Sequence, residues 1–391
     1  IIGGVGAVIV FLPNIMILYL FISFMEDSGY LARAAFIMDR VMHRIGLHGK
    51  SFIPLIMGFG CNVPAIMACR TIESRSSRLI TILITPFMSC SARIPIYLLL
   101  AGTFFAADAS MVMIGLYVLG VVLAVVTARL MRRFMFPVDE TPFVMELPPY
   151  RLPTWKTTLT HMWDKCAQYL RKMGGMILIA SMVVWFLSYY PRSEEGGTAV
   201  HYENSYLGRL GQSCAPIFSP LGLNWKAGVA LLSGVPAKEI VVSTLGVLYS
   251  DGGEAATAPG AGTTEIVTGS GEKIEIGNLP EGSIAIIGGG DGQTAIRIAE
   301  NTDAQVGKVT ELAGEDEETV NLSRKLLASG DFTQASALAF LVFILLYFPC
   351  IATIAAIGAE AGWKWATAAV AYNTVLAWVV AWAVYRLFMW L

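Results

Sequence analysis

The chain contains the stretch Gly58-Phe59-Gly60-Cys61-Asn62-Val63-Pro64-Ala65 and, later, the related stretch Ser233-Gly234-Val235-Pro236-Ala237-Lys238-Glu239. Both place Val-Pro-Ala inside a long apolar run. Each is followed by a second paired element, Phe87-Met88-Ser89-Cys90-Ser91-Ala92-Arg93-Ile94 in the first copy and Tyr347-Phe348-Pro349-Cys350-Ile351-Ala352-Thr353-Ile354 in the second. We therefore expect two copies of one unit, each with a Gly/Pro-interrupted apolar segment and a cysteine-bearing helix. Matched interruptions of this kind point to a transporter's binding site.

The composition is that of a membrane protein. Of 391 residues, 55% are hydrophobic and 14% are charged, whereas a soluble domain carries roughly 25% charged residues. The mean hydropathy is +0.62. The net charge of −2 argues against nucleic acid as a partner. The six cysteines form no CxxC pair, so they are expected to be free thiols.

The apolar runs predict the fold class. The expected membrane segments are 3–25, 51–69, 79–105, 111–131, 174–190, 225–249, 334–356 and 363–390. Segments 51–69 and 225–249 carry Gly and Pro at their centres, and we expect broken or re-entrant helices there. The sequence thus predicts an all-α, polytopic membrane protein of two related, inverted repeats, together with a soluble insertion that contains short strands.

Composition also suggests a division of the chain. The expected parts are a first membrane repeat at 1–135, a basic cytoplasmic linker at 136–172, the first part of a second repeat at 173–250, a polar acidic insertion at 251–331 and the C-terminal part of the second repeat at 332–391. Clusters of basic residues predict that the linker and residues 26–50 lie in the cytoplasm. Residues 26–50 are also predicted to form an interfacial amphipathic helix. Runs such as Glu265-Ile266-Val267 and Ser283-Ile284-Ala285-Ile286-Ile287 suggest strands in the insertion.

Three cysteines occupy matched or interrupted positions: Cys61, Cys90 and Cys350. Two interpretations stay open for them, pore-lining thiols or small buried hydrophobes. For the remaining cysteines, Cys69, Cys166 and Cys214, packing is the favoured interpretation.

Five polar residues are further candidates. Asn62 could ligand a cation or cap the broken helix end. Glu239 and Lys238 are charges at membrane depth, which by default mark an ion path; we favour Glu239 on the path with Lys238 as its electrostatic modulator, against a purely structural interaction. Glu26 and Asp27 close the first helix and could form a carboxylate cluster at one mouth of the path, or could simply be solvated at the interface.

These motifs, in this order, resemble the membrane domain of bacterial ferrous iron transport protein B. The resemblance is carried by Glu26-Asp27-Ser28-Gly29-Tyr30-Leu31-Ala32-Arg33, Gly58-Phe59-Gly60-Cys61-Asn62-Val63-Pro64, Pro86-Phe87-Met88-Ser89-Cys90-Ser91-Ala92-Arg93, Pro236-Ala237-Lys238-Glu239 and Phe348-Pro349-Cys350. It covers nearly the whole chain apart from 251–331. Members of that family carry an N-terminal GTP-binding domain, and no GxxxxGK[ST] motif occurs here. Because the chain begins at Ile1, we expect it to be part of a longer protein.

The resemblance implies transport of Fe²⁺ across the bacterial inner membrane, with no enzymatic activity in this chain. It implies Cys61, Cys90, Cys350, Asn62 and Glu239 as metal-contacting residues, and GTP with Mg²⁺ only in the N-terminal domain. The implied partners are the lipid bilayer, that GTP-binding domain, small accessory iron transport proteins and further copies of the chain.

Two rival functions remain. A gate-type carrier of nucleosides or other small solutes would need polar and aromatic residues at the breaks. A membrane enzyme would need a nucleophile–base pair or a zinc motif at membrane depth, and no HExxH occurs.

Overall fold

The computed structural model describes residues 2–135, 153–191, 204–250, 265–267, 273–275 and 317–390. Helices in the first half are α1 (Ile2–Asp27), α2 (Tyr30–Ile45), α3 (Phe52–Gly60), α4 (Asn62–Ala68), α5 (Arg75–Ile84), α6 (Ile94–Phe104) and α7 (Ala109–Phe134). Those in the second half are α8 (Trp155–Tyr169), α9 (Gly175–Tyr189), α10 (Tyr206–Phe218), α11 (Trp225–Ser233), α12 (Ile240–Ser250), α13 (Glu317–Ser329), α14 (Gln334–Leu346), α15 (Ile351–Ala361) and α16 (Trp363–Trp390).

Four membrane segments are interrupted. The α3/α4 segment breaks at one extended residue, Cys61, and the α11/α12 segment breaks over 234–239. The prediction of broken helices in segments 51–69 and 225–249 is confirmed. The gap of the first segment lies at Cys61, since Pro64 is already the third residue of α4. A proline in the first turn costs no helical hydrogen bond, so it marks the start of the half-helix rather than its gap.

The cysteine-bearing elements are broken as well, and the expectation of continuous helices there is wrong. Residues 85–93, between α5 and α6, form two short 3₁₀ turns around Cys90. Residues 347–350, between α14 and α15, are not helical. Pro86 and Pro349 lie in these gaps, and each lacks the backbone N–H that would continue a helix. Each half of the chain therefore holds two broken segments.

The breaks are shielded by unbroken helices. In the stretches that contain the broken pairs, Arg75–Phe104 and Gln334–Ala361, the most apolar windows are 72% and 78% buried. The corresponding windows of α7 and α16 are only 28% and 22% buried. Backbone groups freed at a break must be sheltered from lipid. The broken segments thus lie inside the bundle, and α7 and α16 present apolar side chains outward.

The order of elements repeats. Each half contains a long apolar helix or helix pair, an amphipathic helix, two broken segments and a final long helix (α7 or α16). The predicted amphipathic helix is α2, which follows α1 at an angle of 78°. Gly29, between them, has a φ of 77°, a value at which a side chain would be strained. Among the residues that the structure describes, four stretches, or five with this bent pair, are long and apolar enough to cross a membrane. The chain is therefore a polytopic all-α membrane protein.

The predicted linker at 136–172 contains α8 within its second half. A π-helical turn at Leu170–Gly174 joins α8 to α9, and α8 packs along α1. Residues 136–152 lie outside the described part of the chain. The region predicted to link the two repeats therefore also contributes to their packing.

The predicted insertion at 251–331 is described only in part. Strands β1 (Glu265–Val267) and β2 (Lys273–Glu275) pair in antiparallel fashion, at the run where the sequence predicts a strand. The other predicted run, 283–287, lies outside the described residues. Helix α13 packs against α6 and α12 and buries Leu322 and Leu326. The end of this region therefore belongs to the packed core.

Helix α7 closely approaches the break at residues 85–93, between α5 and α6, and this contact yields a stability prediction. A Cβ atom at Gly120 would lie 2.7 Å from the backbone oxygen of Phe87. Gly120→Ala should therefore destabilise the protein by about 1–3 kcal/mol, the usual cost of overpacking. Gly115→Ala on the same helix is the matched control, since nothing lies within 4 Å of its added Cβ. Thermal unfolding in detergent checks the pair, and equal melting temperatures would contradict this packing.

Candidate functional site

All four breaks line one cavity of about 350 Å³ between the two halves of the chain. Helices α1 and α9 complete its wall with apolar side chains such as Leu18 and Ile177. The predicted site residues that line the cavity are Cys61, Asn62, Cys90, Lys238, Glu239 and Cys350. The structure thus brings together the interrupted segments of both repeats around a single space.

Hydrogen bonds hold the two breaks of each repeat together. In the first repeat the Ser91 hydroxyl donates to the carbonyl oxygen of Gly60 at 3.0 Å. In the second, the Ile351 backbone N–H donates to the carbonyl oxygen of Val235 at 3.0 Å. Both bonds satisfy carbonyl groups that helix breakage leaves free. The paired breaks therefore act as one structural unit in each half.

The three cavity cysteines share a backbone setting. Cys61, Cys90 and Cys350 each have extended ψ values, of 131°, 158° and 158°, and each directly precedes a helical turn or half-helix. All three are free and partly exposed. The Sγ of Cys350 also lies 3.2 Å from the Thr353 hydroxyl oxygen. A thiol in this position can face a cavity without being buried in helix packing.

The other cysteines do not line this cavity. Cys69 and Cys166 are fully buried in the packing around α4, α8 and α15, and Cys69 Sγ lies 3.4 Å from the Ala65 carbonyl oxygen. Cys214 lies on α10. The repeat-based distinction between the two groups of cysteines therefore corresponds to two different surroundings.

Asn62 contributes an unpaired acceptor. Its side chain is 4% exposed, and its Oδ1 has no hydrogen-bond partner within the described structure. The sequence left a capping role open, but no side-chain cap bond is formed at the start of α4. A buried polar atom without a partner costs about 1–3 kcal/mol. Asn62 is nevertheless one of the residues that line the cavity.

Glu239 and Lys238 lie in the break at 234–239, between α11 and α12, but their side chains have different surroundings. Lys238 is 3% exposed, and its Nζ lies 3.6 Å from the centre of the Tyr347 ring and 3.5 Å from the Ile344 carbonyl oxygen. Glu239 is partly exposed and has no ion pair with a described residue. It lies directly before α12, where the helix dipole favours negative charge. Glu239 therefore supplies a carboxylate that no described cation neutralises.

Arg93 is a site residue that sequence reasoning missed. It is fully buried, and its guanidinium donates to the carbonyl oxygens of Met88 and Pro86, each at 3.2 Å. These bonds tie together the break that carries Cys90. Arg93 is the single charged residue of segment 79–105. The rule about charges at membrane depth, applied to Lys238 and Glu239, would have singled it out.

Glu26 and Asp27 lie apart from the cysteine cavity, and each is paired with a side chain of α8. Glu26 makes an ion pair with Lys165 of α8. Asp27 lies 3.0 Å from Nδ1 of His161 on the same helix. Neither lines the cysteine cavity. The two carboxylates fasten α1 to α8 instead.

The cavity is not a closed metal site. Among residues 2–135, 153–191, 204–250 and 317–390, no three His, Cys, Asp or Glu side chains come close enough together to hold one ion. A permeation path needs binding that is favourable yet weak enough for release. The candidate side chains are spread around a cavity of about 350 Å³.

Comparisons with known proteins agree with this architecture. The family described as "Gate: Nucleoside recognition" matches residues 8–104 and 170–364, and "Ferrous iron transport protein B C terminus" matches residues 113–165. A Porphyromonas gingivalis protein named "Fe(2+) transport protein A/Fe(2+) transporter FeoB fusion protein" is 48% identical over 99% of this chain and 43% of its own length.

Two proteins named "Fe(2+) transporter FeoB" show similar agreement. The one from Methanocaldococcus jannaschii is 40% identical over 97% of this chain, and the one from Staphylococcus aureus is 39% identical over 99%. The chain covers 48% of each, so it spans about half the length of these relatives. No solved structure matches it significantly.

Proposed function

The chain belongs to the Gate family and fits the C-terminal membrane part of FeoB transporters, and from this premise we propose that it conducts Fe²⁺ across the bacterial inner membrane. One observation carries the proposal: the broken segments of both repeats line a single cavity with three free thiols and a carboxylate that no described cation neutralises. This cavity offers a divalent cation thiol, amide and carboxylate donors inside the bundle.

The donor set suits ferrous iron. Fe²⁺ is a borderline metal that accepts sulfur as well as oxygen ligands. In our proposal the ion meets the thiols of Cys61, Cys90 and Cys350 in turn, and each replaces part of its water shell. Asn62 contributes its amide oxygen, and Glu239 offsets the charge of the ion. Lys238, fixed over the Tyr347 ring, moderates that attraction. A cation held by opposing charges of this kind can also leave.

We propose that Fe²⁺ passage is regulated from outside this membrane domain. We propose that GTP and Mg²⁺ act only in a separate N-terminal domain. We also propose a small accessory partner, which the name of the fused Porphyromonas gingivalis relative supports. Association with further copies of the chain remains a proposal from the sequence.

Uptake by proteoliposomes tests the proposal against transport of nucleosides. That alternative corresponds to the words "Nucleoside recognition" in the description of the Gate family. The complete protein should accumulate labelled Fe²⁺ under reducing conditions, and excess Mg²⁺ should compete poorly because it prefers oxygen ligands. Labelled nucleosides should not accumulate. Nucleoside uptake without Fe²⁺ uptake would reverse the choice between the two functions.

A further inference from the structure

A second cavity, of about 400 Å³, lies beside α4. Its walls come from α1, α2, α3, α4 and α8, and charged side chains contribute to its lining. These are Glu26, Lys50, Arg70 and Lys165. The second cavity does not share a lining residue with the cysteine cavity.

Helix α4 is the partition between the two cavities. Its first residues, Asn62 and Val63, line the cysteine cavity, whereas Pro64, Met67 and Ala68 line the second one. The intervening Ala65 and Ile66 are fully buried. With only seven residues and a break before it, α4 is a short unit that can move without displacing a whole membrane helix.

The partner of α4 in the other repeat is α15. The two helices pack against each other, and each starts directly after a cavity cysteine, Cys61 or Cys350. Their far ends are joined by one ion pair. Arg70, in the turn Cys69–Thr71 that ends α4, donates from Nε to Glu360 Oε2 at 2.7 Å and from Nη2 to Glu360 Oε1.

The Arg70–Glu360 pair has the geometry of a strong contact. It is bidentate, which gives an Arg–carboxylate pair both energy and orientation. The Glu360 side chain is only 10% exposed, whereas that of Arg70 is 48% exposed, so one partner of the pair is shielded from solvent. The pair also links the two repeats, since Arg70 belongs to the first and Glu360 to the second.

We propose that α4 and α15 form a gate between the two cavities and that the Arg70–Glu360 ion pair is its latch. The gate rests on the proposed function, in that it places both cavities on the Fe²⁺ path. While the latch holds, the two half-helices stay packed and the cysteine cavity is closed toward the second cavity. Release of the latch lets α4 shift and connects the two spaces.

A neighbouring ion pair provides a matched control. Lys50, which also lines the second cavity, donates to Glu73 at 2.7 Å and thereby lowers the pKa of that exposed carboxyl. Both residues belong to the first repeat, and their pair does not join α4 to α15. Reversing these charges changes the electrostatics of the same cavity while leaving the latch intact.

Thiol labelling tests the gate independently of iron. In a protein whose single cysteine is Cys61, a membrane-impermeant maleimide is applied from each side of sealed vesicles. Arg70→Glu or Glu360→Arg should raise the labelling rate from the side of the second cavity roughly three- to tenfold, as expected for the loss of a partly buried ion pair. The double variant should return it to within about twofold of the parent. Lys50→Glu and Glu73→Lys should leave it unchanged.

Three outcomes would overturn the latch: unchanged labelling in both single variants, no recovery in the double variant, or equal stimulation by the control variants. Fe²⁺ uptake by the corresponding variants with all six cysteines separates the two proposals. The predicted labelling pattern without any Fe²⁺ uptake supports the gate and refutes the iron function. Normal Fe²⁺ uptake with unchanged labelling refutes the latch alone.

Discussion

Replacing Glu239 by Gln should reduce Fe²⁺ uptake by more than about a hundredfold. A unit charge about 4 Å from a cation contributes about 4 kcal/mol at an effective dielectric of 20, and the change removes that term while keeping the size of the side chain. Glu239 lines the cysteine cavity and has no described cationic partner, so its negative charge is free to act on the ion. Initial rates of labelled Fe²⁺ uptake into proteoliposomes give the measurement.

Asp331→Asn is the control for that experiment. It removes a carboxylate that is paired with Lys226 and lines neither cavity. Uptake should stay above about half of the parent rate, because a partly exposed ion pair away from the path contributes little. If Glu239→Gln transports Fe²⁺ as the parent does, Glu239 is not on the path.

Cys→Ser substitution at Cys61, Cys90 or Cys350 should lower Fe²⁺ uptake about tenfold, the low end of what loss of a group supporting a metal site costs. Serine nearly preserves the volume and removes only the soft ligand. Expression and membrane insertion should stay normal, because all three side chains are partly exposed to the cavity.

Cys166→Ser and Cys214→Ser test whether any cysteine would behave in this way. Neither residue lines the cavity, and both variants should transport at close to the parent rate. Equal and undiminished uptake by all five variants would assign the cavity cysteines to packing.

The duplicated Val-Pro-Ala predicts broken helices in both repeats because Gly and Pro act locally, through lost donors and backbone freedom. It does not predict the gap at Cys61, since a proline is equally compatible with the first turn of a new helix. The sequence also does not reveal that the segments of Cys90 and Cys350 break. Segment 79–105 carries Pro86 and Pro95, and segment 334–356 carries Pro349, but the apolar runs around these prolines otherwise favour continuous helices.

The sequence does not predict which residues form ion pairs with one another. Glu26 and Asp27 are paired with residues more than 130 positions away, and Arg70 with Glu360 is separated by 290. Such pairs depend on how the repeats dock, which neither periodicity nor propensity specifies. Arg93 differs, because its isolated charge in an apolar segment was visible in the sequence.

Iron K-edge X-ray absorption of the protein loaded anaerobically with Fe²⁺ tests the central claim most directly. The account predicts sulfur neighbours around iron in the parent protein and only oxygen or nitrogen neighbours in the variant in which Cys61, Cys90 and Cys350 are all replaced by Ser. The Cys166→Ser variant should retain the sulfur signal. Oxygen and nitrogen alone around iron in the parent, or sulfur that persists in the triple variant, would contradict a thiol-lined path for ferrous iron.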